Sequence, residues 1–144
     1  MKKSDTKVFF SIITEVPSQI SDSSVLTYLQ TKTIDWEYVE ALKRMTGFND
    51  KVLSDWLNVS VKTFRSYKQN ENKLNPILKE QLVLLISLIK HGSSVFENIN
   101  LFKDWLNTKN FYFDNKCPIS FLNTVIGIRF VNERLTAMEY GDNV

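Results

Sequence analysis

An all-α fold follows from three features of the 144-residue chain. Its apolar residues recur at three and four rather than at two, the period of a helix face and not of a strand. Only four Gly and three Pro are present, too few to turn a set of tight hairpins. The chain is 43% hydrophobic and 12% aromatic, enough to bury a core as one domain or two small intimate ones.

Residues 1–33 are the least patterned part. Ser18, Ser21, Ser23 and Ser24 around Pro17 suggest a mobile or partner-dependent arm, with a short helix over Val25, Leu26 and Leu29. MKKSDTKVFFSII begins like a signal peptide, but Ser11 interrupts its apolar run and no small-residue cleavage site follows. The longest apolar stretch, Leu82 to Ile89, falls far short of the ~20 residues that span a bilayer. A soluble, cytoplasmic protein is expected.

A second unit is expected over residues 34–92. Trp36, Val39, Leu42 and Met45 repeat at three, and Gly47 ends that helix. The segment LSDWLNVSVKTFRSY, Leu53 to Tyr67, then has the spacing of a helix-turn-helix. Leu53, Trp56 and Leu57 share one face of a short helix that Asn49 or Asp50 can cap. Asn58 suits a left-handed turn, Val59 plugs the corner, Ser60 caps the second helix, and small Ser54 allows the helices to cross closely. Phe64 and Tyr67 point inward. The outer, basic face suits a major groove, where Arg and Lys pair with guanine or phosphate. Ser60, Lys62, Thr63, Arg65, Ser66, Lys68 and Gln69 are the expected DNA contacts. The plain alternative is a helical hairpin with a solvated basic face.

Asn75 and Pro76 open the most apolar helix, expected to run to about His91 and to close at Gly92. Being apolar on most of its circumference, it has to be surrounded. His91, the only histidine, reads as structural.

Residues 93–144 form the last unit. Val95, Phe96, Leu101, Phe102, Trp105 and Leu106 suggest two helical pieces around Asn98 and Asn100. NTKNFYFDNKCP is a loop with three aromatics, for which core packing is the ordinary reading. Pro118 opens a short helix through Leu122, and Thr124 can cap a final one with Ile128, Val131, Leu135 and Met138 as its packing stripe, halted by Gly141.

Composition excludes several classes of function. A net charge of +2 does not argue for nucleic acid, so local charge must. From Phe48 to Lys79 six bases face three acids. The single Cys117 excludes an internal disulfide framework and a multi-cysteine zinc site. With one His, one Cys and no glycine-rich phosphate loop, the chain lacks the usual catalytic constellations. Carboxylates such as Glu97 and Asp104 are ordinary helix-surface residues. No catalytic residue, metal ligand or cofactor is assigned.

Several signposts occur in a characteristic order: the helix-turn-helix; Leu74 with EQLVLLISLI; Val95 and Phe96; Trp105 and Leu106 with Asn110; Pro118 with Leu122; Thr124 with Gly127; and Glu139, Tyr140 and Gly141. Over residues 47–141 the chain thereby resembles the Xre/MbcA/ParS antitoxins, which neutralise RES-domain toxins. It departs from their habit at Cys117, where a small hydroxyl residue is commoner, at Asn58 in place of a turn glycine, and in the heavy aromatic triplet at 111–113.

The resemblance implies a dimeric all-α protein whose helix-turn-helix binds operator DNA and represses its own operon. It implies that the C-terminal region covers the active-site entrance of a RES-domain toxin. Such toxins consume NAD or transfer ADP-ribose from it, so NAD is the toxin's substrate and not a cofactor here. The implied toxin contacts are Phe111, Tyr112, Phe113, Glu139, Tyr140, Gly141, Asp142, Asn143 and Val144. Without the resemblance, the tail reads equally well as a frayed end. A helix-turn-helix regulator with no toxin partner is the alternative.

Overall fold

A computed structural model describes residues 3–68 and 73–141. Eight α-helices and two short 3-10 turns account for the described regular structure; no strand occurs among these residues, only one isolated bridge between Asn110 and Lys116. The helices are α1 (Lys3–Glu15), α2 (Asp22–Thr31), α3 (Trp36–Thr46), α4 (Asp50–Trp56), α5 (Val61–Lys68), α6 (Pro76–Phe96), α7 (Ile99–Leu106) and α8 (Val125–Glu139).

Residues 3–33 are not the loose arm that their serines suggest. Ile12 and Val16, four apart, bury themselves as α1 packs on α3. Ser21 is a helix cap, its Oγ accepting from the Ser24 amide, and it starts a helix whose Val25 and Tyr28 turn inward against α6. The Tyr28 and Tyr38 hydroxyls meet at 2.7 Å, and Lys32 pairs with Glu15 at 2.8 Å. Arg44 lies 3.9 Å over the Phe9 ring.

Sequence signals set the next boundaries as expected. Asp35 caps α3 through the Glu37 amide, and Gly47 ends it in the left-handed region at φ 68°. Asn75 accepts from the Leu78 amide and Pro76 opens α6. α6 is the axis of the fold, contacted by α2, α3, α7 and α8, with Leu82 to Ile89 buried.

Gly92 does not close α6, contrary to expectation. The helix runs on to Phe96 and stops at Glu97, a non-glycine residue at φ 57°. Gly92 has a packing role instead, because a Cβ there would lie 2.2 Å from the tip of the Phe102 ring. Phe102 is fully buried, with Phe96 at 5.8 Å and Trp105 at 6.1 Å between centroids. The glycine lets α7 approach α6. Val95 and Phe96 consequently end α6 rather than forming a separate piece, and Asn98 caps α7 through the Asn100 and Leu101 amides.

Candidate functional site

α4 and α5 are two short helices joined by a tight corner, an arrangement that a helix-turn-helix requires. Asn49 caps α4 by accepting from the Val52 amide. Leu53, Trp56 and Leu57 are buried, and so is Ser54 at the crossing. Asn58 takes the left-handed conformation at φ 57°, the Val59 amide bonds back to Ser54 O at 3.1 Å, and Ser60 Oγ accepts from the Thr63 amide at 3.0 Å. α5 therefore leaves the corner with its register fixed, resting on α3 through its buried Phe64 and Tyr67.

On the other side Lys62, Arg65 and Lys68 are exposed, together with Ser60, while Thr63 is half-buried. Ser66 departs from the expected outward face: it is only 9% exposed, and its hydroxyl donates to Thr63 O. One position beyond Arg65, it falls on the side of Tyr67. Gln69 lies outside the described residues.

Part of the basic face is already engaged. Asp50 accepts from Lys43 at 2.7 Å and from Arg65 Nε at 2.9 Å, and Lys68 pairs with Glu40 at 3.3 Å. The Lys43 ammonium, and then the Arg65 guanidinium, hold the Asp50 carboxyl below the usual carboxylate range. Exposed pairs of this kind contribute about 0–1 kcal/mol, so Arg65 can exchange Asp50 for another anion with little penalty. Lys62 makes no ion pair among the described residues.

The corner is tied to the C-terminal part of the chain. Asn58 Nδ2 donates to Asn123 O at 2.8 Å. Gln81, buried on the otherwise aliphatic α6, donates from Nε2 to Trp56 O at 2.9 Å and to the same Asn123 O at 3.2 Å. Asn123 immediately precedes Thr124, the cap of α8. Sequence reasoning passed over Gln81, whose signal was a single amide on the inward side of an aliphatic helix.

The aromatic triplet divides. Phe113 is 1% exposed and belongs to the core, 5.8 Å from Trp105 and 5.0 Å from Phe130; it is not available to a partner. The segment folds as a 3-10 turn capped by Asn110, and only one of its three rings can face the core. Phe111 is 81% exposed, and the exposed Tyr112 lies against the Arg134 guanidinium at 3.5 Å. Cys117 is half-buried, its thiol on Asn107 O at 3.3 Å.

Near the end of α8, buried His91 faces Asn132 Oδ1 at 2.7 Å through Nδ1 and Glu139 Oε2 at 3.2 Å through Nε2. His91 sits within α6, not at its end, and acts as a strut to α8. Tyr140 is exposed and Gly141 takes φ 103°. Asp142, Asn143 and Val144 lie outside the described residues. No group of three His, Cys, Asp or Glu that could hold a metal occurs among the described residues, nor any single helix long and apolar enough to cross a membrane.

Residues 91–141, from this histidine to this glycine, match the family model of the antitoxin Xre/MbcA/ParS C-terminal toxin-binding domain. The match supports an antitoxin role, with a toxin as partner. No curated relative matches the chain. The matched segment begins in the last turns of α6, the helix against which α2, α3, α7 and α8 pack.

Proposed function

We propose that the chain is the antitoxin of a type II pair: a non-enzymatic protein that binds and inhibits a RES-domain, NAD-consuming toxin and represses its own operon through α4 and α5. The observation that carries this reading is the toxin-binding match at 91–141, standing behind a helix-turn-helix with Lys62 and Arg65 outward. The toxin's RES identity and the operon's repression rest on the resemblance of residues 47–141 to that antitoxin family.

The physical roles follow from the two surfaces. α5 enters a major groove, Lys62 and Arg65 contacting phosphate or guanine and Ser60 and Thr63 standing at the helix start. In a homodimer two such helices address half-sites about one DNA turn, roughly 34 Å, apart. Phe111, Tyr112 and the segment from Glu139 to Val144 meet the toxin and close its active-site entrance, so NAD does not reach the toxin's catalytic site.

Co-expression with the product of the adjacent reading frame is the test. Stable co-purification, restored growth and preserved cellular NAD are the expected results. Growth arrest with NAD depletion despite the chain's presence rules the antitoxin role out. A chain that binds its upstream DNA but no adjacent product is the stand-alone regulator instead.

A further inference from the structure

We propose that the toxin docks lengthwise on the outward face of α8, from Ile126 and Phe130 to Tyr140, with Tyr112, lying against Arg134, on its flank. This rests on the antitoxin reading and adds residues that the sequence did not single out. The inner face of α8 is occupied, since Ile128, Val131 and Leu135 are buried against α6. One flank is held by Arg129, paired with Asp22 of α2 at 2.6 Å.

What remains is a single line of side chains. At about 100° per residue, Ile126, Phe130, Glu133, Ala137 and Tyr140 fall within about 40° of one direction, over a length of about 21 Å. Ile126 and Tyr140 are each 81% exposed, with Phe111 the most exposed large hydrophobic side chains among the described residues, and Phe130 aligns with them on one face. Phe130 is exposed but rooted, 5.0 Å from Phe113 and 5.8 Å from Phe121. Phe113 in turn leans on Trp105, so an aromatic column runs from the core to this surface. Such rings are ordered before a partner arrives, and little rotamer freedom is given up on binding.

The occupant is the toxin rather than a second copy. Every residue of the stripe lies inside the matched toxin-binding segment, and the stripe is continuous with Glu139 to Gly141, already assigned to the toxin. The partner surface it fits is an apolar hollow that accepts aromatic rings and carries a cation opposite exposed Glu133.

The full-length chain is tested against the purified product of the adjacent reading frame, using Ile126→Asp and Glu133→Lys. Both side chains are exposed, and an acidic residue at 126 suits the first turn of α8, so thermal unfolding is expected to stay unchanged. Each variant is expected to weaken the complex tenfold or more. Wild-type affinity in both overturns the proposal. A free chain whose mass falls to that of a monomer on Ile126→Asp, with toxin affinity intact, makes the face a self-association surface and overturns it too. If Ile126→Asp unfolds, Glu133→Lys decides. If the wild-type chain binds no toxin at all, the antitoxin reading itself has failed.

Discussion

Replacing Gly92 with alanine sets two effects of opposite sign against each other. In an ordinary helix interior the change stabilises by about 1 kcal/mol, because alanine loses less backbone freedom. Here the new methyl would stand 2.2 Å from the Phe102 ring, against an ordinary contact of 3.4–4 Å, so the ring or the helix must move by more than an ångström. That ring is wholly enclosed, with Phe96 and Trp105 beside it. Overpacking at such a site costs about 1–3 kcal/mol. The upper part of that range exceeds the propensity gain and leaves a net destabilisation of about 1–2 kcal/mol. At about 2–4 °C per kcal/mol for a chain of this size, Tm should fall by roughly 2–8 °C in a calorimetric scan. An unchanged or raised Tm would refute the reasoning, by showing that α7 does not depend on the missing side chain.

Three other outcomes follow from the geometry. Lys62→Ala with Arg65→Ala should weaken binding to the chain's own upstream DNA and flatten the log-log salt dependence by about 0.9 for each phosphate no longer neutralised; an unchanged slope means that α5 does not touch the duplex. Gln81→Leu keeps the bulk but strips Trp56 O of its amide donor, which should lower stability by about 1–3 kcal/mol in urea titration; a neutral result means that this carbonyl finds another donor. Asp50 has its carboxyl lowered when folded, so its contribution is present above the unfolded value of about 3.9 and disappears as pH falls through the folded one. Asp50→Asn should therefore flatten the acid limb of a Tm-against-pH curve below about pH 4, and an identical limb would show that the pair does not couple to folding.

Sequence was most legible where one residue both breaks and caps. Gly47, Asn58, Asn75 with Pro76, and Thr124 each mark a boundary that the fold respects. It misled where the same residue type serves two ends. Gly92 looks like a terminator because nothing in its neighbours reveals Phe102 ten positions away, whereas the true stop, Glu97, carries no local signal for a left-handed turn. Residues 3–33 looked loose because the serine cluster outweighed Ile12 and Val16, whose spacing is helical but whose partner, α3, lies beyond the window. At the candidate surfaces, residue type alone does not tell which way a side chain faces. Ser66 and Phe113 have suitable chemistry but face inward, and Ile126 with Phe130 went unremarked because Ile128 and Val131 claimed the helix for the core.

The bonds from Asn58 and Gln81 to one peptide oxygen at position 123 limit how this chain can be recombined. Because the acceptor is main chain, the side chain at 123 can vary freely while the two amides cannot. A hybrid that joins a foreign N-terminal half to residues beyond 91 keeps the acceptor, but keeps its donors only if that half carries amides at the places of Asn58 and Gln81. Any exchange of the N-terminal half has to carry both amides across the junction, or leave the seam between the halves open.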